Sequence, residues 1–181
     1  SLHDMALLSL DTGMRAGEIF NLKWGRVNIE QGIIRIVEGK GKDRTAFMTQ
    51  RVKEMFLSMS KRGRGILVFP NRNGGKRKQI SQSFSRAVDK LKLNEGVYDK
   101  RDKLVFHSLR HSFASRLVEL GVDLYPIKEL LGHSTIALTE RYSHLRPDTL
   151  RAAVKVLEDA TKESGSIKAD QGVDVVHIES V

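Results

Sequence analysis

Three short stretches of this sequence carry side chains able to work on a phosphate. "TGMRAGEI" places Arg15 just past Gly13 and at the start of a predicted helix, where a guanidinium and open backbone N–H groups can face one anion. Glu18, one turn on, is spaced to orient Arg15. "FHSLRHSFAS" carries His107 and Arg110 at i, i+3, with His111 at i+4. "LLGHSTIALTERYSHLR" holds His133 and, nine residues on, Tyr142 between Arg141 and the nearby His144. A phenol oxygen can act as a nucleophile, a histidine can move a proton, and a guanidinium can counter charge on phosphoryl oxygens.

Two basic stretches add to this set. "GKGKDR" puts Lys40 and Lys42 at a hairpin tip, where a lysine can protonate a leaving oxygen, hold a phosphate, or be simply solvated at a sheet edge. "NRNGGKRKQ" supplies Arg72, Lys76, Arg77 and Lys78. Taken singly, each feature has an ordinary reading: a surface Arg–Glu pair, a histidine capping a helix, a solvated loop. His107 and His111 also have the spacing of a zinc pair, but Ser108 stands where zinc proteases carry glutamate, and no third ligand is evident. No metal site is predicted.

The elements that must position these residues are mainly helical. Residues 2–12 predict an apolar helix stopped by Gly13, and "RAGEIFNLKW" a second. "VNI", "IIRIV" and "TAFM" predict a small antiparallel meander. Val52, Met55, Phe56 and Met59 mark an amphipathic helix. "ILVFP" reads as a short buried strand, and a helix with Phe84, Ala87, Val88 and Leu91 follows Ser81 as its cap. A helix over 108–120 is expected to turn Leu109, Phe113, Leu117 and Leu120 inward, closed by Gly121. "YPIKELLG" is a short helix ending at Gly132. Ser134 is then expected to cap the helix carrying Tyr142, with a last helix over 148–162 and a tail ending in Val173, Val175, Val176 and Ile178. The fold class expected is mainly α with a small antiparallel β-sheet (α+β).

The bulk numbers bound the partners. The 181 residues suit one domain, and 40% hydrophobic with 29% charged residues describe a globular chain. With no cysteine, disulfides and thiol catalysis are excluded. A net charge of +9 and a pI near 9.9 favour a polyanion, most often nucleic acid. No leader or membrane span is read, so a cytoplasmic, DNA-associated location is expected. The opening "SLHDMALLSL" reads as a helix cut from a longer protein at a domain boundary.

The order of the features is more specific than any one of them. Arg15 in a glycine-led turn, a hairpin lysine, His107-x-x-Arg110, His133 after Leu-Gly, and Tyr142 nine residues later follow one another in a set order. From about Leu2 to about residue 162 the chain resembles the catalytic domain of the tyrosine site-specific recombinases, the phage-integrase family. The strings "TGMRAGEIFNLKW", "FHSLRHSFAS" and "LLGHSTIALTERYSH" carry the resemblance. Lys40 fits the hairpin lysine best, with Lys42 as a substitute.

The resemblance implies site-specific DNA recombination through a covalent 3′-phosphotyrosine, with neither metal, ATP nor other cofactor. Tyr142 would be the nucleophile, Arg15 and Arg110 would bracket the phosphate, and Lys40 would protonate the 5′-oxygen. His107 would take part in proton transfer with the tyrosine, and His133 would hydrogen-bond a nonbridging oxygen. Glu18 would be structural support, while His111 and His144 are expected outside the reactive shell. Lys42, Arg72, Lys76, Arg77 and Lys78 would track the DNA backbone. Residues 1–163 would form the catalytic domain, and 164–181 a tail able to pack on a neighbour within a homotetramer on double-stranded DNA. The amino-terminal DNA-clamping domain is expected to lie outside this sequence. A type IB topoisomerase-like activity and a non-catalytic DNA-binding module are the alternatives.

Overall fold

Gly13 ends the first helix as the sequence predicts, and the turn it makes organises the site. The computed structural model describes residues 2–37, 43–59, 63–145 and 154–156. Helix α1 spans Leu2–Thr12, and Gly13 follows at φ 66°. A Cβ at Gly13 would stand 2.8 Å from the Phe113 ring and 3.0 Å from Leu131. Both the left-handed backbone and this close approach call for glycine.

Helix α2 is shorter than expected. The helix predicted over "RAGEIFNLKW" is limited to Ala16–Phe20, and Trp24–Arg26 form a separate 3-10 turn. The reason lies in competing backbone partners. Trp24 N donates to Ile66 O at 3.1 Å, Gly25 N to Arg64 O at 2.9 Å, and Val68 N to Leu22 O at 2.8 Å. These groups are therefore unavailable to a continuing helix. The same contacts reduce the strand predicted at "ILVFP" to one bridge, Lys23 to Leu67, although Val68 and Phe69 are buried.

The meander is an antiparallel sheet in the order β1 (Val27–Asn28), β2 (Ile33–Ile36), β3 (Arg44–Phe47). Val27 pairs with Ile34, and Ile36 with Arg44. Alternation turns Ile34, Ile36 and Ala46 into the core, leaving Arg35 and Phe47 exposed on the other face. Helix α3, Gln50–Ser58, starts at Thr49, whose hydroxyl accepts from Val52 N and donates to Asp11. It buries Val52, Met55 and Phe56.

Three expectations are corrected further on. Helix α4 is Ser83–Lys90, with Gln82 rather than Ser81 at the cap position; Val88 is buried but Ala87 and Leu91 are exposed. Helix α5, Ser108–Glu119, buries Arg110, Ala114 and Val118, flanked by partly buried Leu109, Phe113 and Leu117. Leu120, expected inward, is 80% exposed. The face is rotated because a polar residue, Arg110, takes its centre. Helix α6, Leu124–Leu131, is capped by Asp123 and ended by Gly132 at φ 65°. Helix α7 is only Ala137–Glu140; Ile136 stands at its cap position, and Tyr142 falls in the turn beyond it.

Two apolar clusters result. One joins α1, α2, the sheet and α3; the other gathers Ala114, Val118, Ile127, Leu131 and Tyr142 from α5, α6 and the turn after α7. The fold is thus mainly helical with one small antiparallel sheet. The chain divides into units Ser1–Leu145 and Arg146–Val181. Of the second unit residues 154–156 are described, and they are helical. The rest of the helix predicted over 148–162 and the tail at 164–181 lie outside the described residues.

Candidate active site

Arg110 is the buried centre. It is 3% exposed, and its guanidinium donates from Nη1 to Gly13 O at 2.6 Å and from Nη2 to Leu131 O at 2.7 Å. A single side chain thereby joins the turn after α1 to the end of α6. Burial, then the Arg15 charge, lower its pKa to about 10, so it stays cationic at neutral pH. Each terminal nitrogen retains a second N–H for another acceptor.

Arg15 converges on the same turn. Its Nη2 donates to Gly132 O at 3.4 Å, the carbonyl next to the one Arg110 holds. Glu18 accepts from Arg15 N at 2.8 Å and from Arg15 Nη1 at 3.0 Å. Glu18 also accepts from Arg44 Nη2 at 2.8 Å, and Arg44 Nη1 donates to Leu130 O at 2.6 Å. The Glu18 and Arg44 side chains are 6% and 7% exposed, so this is a buried pair. A Cβ on Gly132 would stand 2.5 Å from Arg44 Cδ. Arg44 was missed from sequence, although it alternates with Ala46 onto the inward face of β3. A charge at an inward strand position is a readable signal.

His133 and Tyr142 are linked through one residue. Thr139, fully buried, has its hydroxyl 2.9 Å from His133 Nδ1, and its carbonyl accepts from Tyr142 N at 3.0 Å. Burial first, then Arg110, Arg15, Arg141 and Arg44, push the His133 pKa down to about 4. The imidazole is therefore neutral at pH 7. If the Thr139 hydroxyl donates to Nδ1, the one ring proton lies on Nε2, ready to bond an oxygen.

The phenol of Tyr142 does not stand alone. Its Oη lies 2.5 Å from His111 Nδ1, and the residue is 6% exposed. Sequence reading expected His111 outside the reactive shell; the structure sets it against the Tyr142 phenol. His111 follows the buried Arg110, so it emerges at the edge of α5 that the turn after α7 covers. Burial, followed by His107, Arg141 and Arg110, lowers the His111 pKa and favours the neutral ring. Burial raises the Tyr142 pKa, while Arg141 and Arg110 oppose the rise. A protonated phenol thus donates to a neutral imidazole.

His107 is exposed, its ring edge-on to His111 at 4.7 Å. Burial of its ring, then Arg110, Arg15 and Arg141, lowers its pKa. His144 is exposed in the 3-10 turn Ser143–Leu145. Lys40 and Lys42 lie outside the described residues. Arg72, Lys76 and Lys78 are exposed, and Arg77 Nε donates to Phe69 O at 3.3 Å. Their loop is held by Asn71, whose Oδ1 accepts from Asn73 N and Gly75 N, both at 2.9 Å. No group of three or more histidine, aspartate or glutamate side chains is spaced to hold a metal among the described residues.

Comparison with known proteins shows the family and the fold. The model of the phage integrase family matches residues 2–149. The tyrosine recombinase XerD of Halalkalibacterium halodurans is 34% identical over 161 residues, covering 83% of this chain and 52% of the relative. The catalytic domain of bacteriophage HP1 integrase superposes with a TM-score of 0.63 at 31% identity, over 84% of this chain and 79% of that one. The XerH recombinase in a post-cleavage complex with its palindromic difH substrate gives 0.62 at 26% identity, over 87% and 46%. The chain spans about half the length of the curated relatives it matches.

Proposed function

The chain belongs to the phage integrase family, and we propose that it breaks and rejoins DNA by site-specific strand exchange through a covalent 3′-phosphotyrosine at Tyr142. One observation carries this reading. Arg110 and Arg15 grip adjacent carbonyls at Leu131 and Gly132, while His133 and Tyr142 are both held by Thr139 in the following segment. Two guanidinia, an imidazole and a phenol are thus anchored to one short stretch of chain.

The chemistry follows from the donors. Tyr142 Oη attacks the scissile phosphorus and passes its proton to His111 Nδ1, a role that sequence reading gave to His107. His107, exposed beside it, is left to face the phosphate. Arg15, Arg110 and His133 Nε2 counter the charge growing on the nonbridging oxygens. The P–O5′ bond breaks, and Lys40 gives that oxygen its proton. The tyrosyl ester retains the energy of the diester, so another 5′-hydroxyl can reverse the step without ATP. The positive side chains do the work a metal would otherwise do.

The remaining assignments belong to the same reading. Residues 1–163 form the catalytic domain, Lys42 and the 72–78 loop follow the DNA backbone, and 164–181 pack on a neighbouring protomer in a tetramer. The partner is duplex DNA, which places the protein at the nucleoid. Incubation with a nicked duplex carrying the recognition site tests the core of it. The chain forms an SDS-resistant adduct that persists in EDTA and is lost in Tyr142→Phe. No adduct from the parent, an adduct in Tyr142→Phe, or collapse in EDTA contradicts it.

A further inference from the structure

Beside the site, a groove of about 440 Å³ is lined by Arg26, Arg35 and Arg64, with Glu30 at its edge. A second groove of about 300 Å³ shares Arg26 and Arg35 and reaches Arg15. The two form one path leading from the active-site arginine across the outer face of the sheet. We propose that this path is a second DNA-backbone site, holding two to three phosphates of the duplex that flanks the scissile one.

The sequence spends stability to build it. Arg26 ends the 3-10 turn that leads into β1, and Arg35 is exposed on the neighbouring β2, so both side chains line the same groove. Like charges gathered in one groove repel one another. Arg64 is brought to the same place by the Gly25 N to Arg64 O bond at 2.9 Å. None of the three side chains makes a hydrogen bond or ion pair with a described residue, and Glu30 pairs with none of them. By contrast, the buried Asp11 holds Arg51, and Glu18 holds Arg15 and Arg44. Three clustered guanidinia with no carboxylate partner among the described residues suit an external polyanion. Contacts from these guanidinia to phosphate oxygens would position the duplex and carry no sequence information.

This inference rests on the DNA reading above and can fail separately from it. Binding of a short duplex is measured across a salt series with the full chain carrying Tyr142→Phe, so that no cleavage intervenes. The comparison adds Arg26→Gln, Arg35→Gln and Arg64→Gln together. Each lost phosphate contact lowers the slope of log K against log salt by about 0.9. The triple variant is expected to lose roughly two to three units of slope and at least about tenfold in affinity near physiological salt. Without DNA it should melt no lower than its parent, because a repulsion has been removed. Should the triple variant misfold, Arg35→Gln and Arg64→Gln singly, both at exposed positions, should each lower the slope by about one.

A slope and affinity equal to the parent's overturn the proposal. Inorganic phosphate supplies another arm: if it raises the parent's melting temperature but not the variant's, with the DNA slope unchanged, the groove holds a small anion and the duplex assignment is wrong. A parent that binds no DNA contradicts the functional reading itself.

Discussion

At the scale of single residues the contact between Tyr142 and His111 matters most to the proposed chemistry. A buried phenol resists ionisation, so in the proposed attack the proton would leave as the bond forms, and the acceptor in reach is a ring whose own pKa is lowered. Adduct formation should therefore hold steady from pH 8 through 6.5, where an ordinary histidine is half protonated, and fall only below that. His111→Ala is expected to slow the adduct step about 100-fold and remove the acid limb. His111→Asn restores an acceptor near the Nδ1 position without basicity, and should stay as slow as alanine. If asparagine restores the rate, His111 positions the phenol and takes no proton. Stability carries the same sign. His133 titrates at about 4 when folded against 6.5 for an ordinary histidine, so the unfolded chain binds more protons between those values. Stability is full above pH 6.5 and falls as pH drops toward 4; thermal melts at pH 7.5 and 5 should differ in that direction.

At the scale of elements, the Glu18–Arg44 pair ties α2 to β3, and Arg44 ties β3 to the end of α6. Glu18→Gln removes the Glu18 carboxylate charge from a buried guanidinium and should cost about 3 kcal/mol in urea unfolding. Pairing it with Arg44→Met should recover much of the loss, whereas equal losses for the single and double variants would show that the ion pair is not what holds β3. Elements with strong local signals were readable: α1 from its glycine stop, the hairpins from alternation, α3 from its period. Those set by distant partners were not. The end of α2 depends on Ile66 and Arg64 carbonyls, and the inward face of α5 on carbonyls at Gly13 and Leu131. The site divides in the same way. Residue order pointed to Arg15, His107, Arg110, His133 and Tyr142, but the partners Arg44, Thr139 and His111 emerge only when remote segments meet.

At the scale of the whole molecule, the excess of 31 basic over 22 acidic residues takes on a spatial meaning. Part of it is neutralised internally, as at Glu18, and part lines the path from Arg15 to Arg64. The central claim is that one phenol among three carries the strand. Tyr98 and Tyr125 are 94% and 63% exposed, whereas Tyr142 is buried against a histidine. Ease of access and the catalytic reading thus point to different residues. The most direct measurement is to trap the adduct on nicked DNA, digest it with trypsin and nuclease, and locate the nucleotide by mass spectrometry. A 3′-linked nucleotide is expected on the peptide that begins at Tyr142, with the released strand bearing a free 5′-hydroxyl. A nucleotide on Tyr98 or Tyr125, or one linked through its 5′ end, would contradict it.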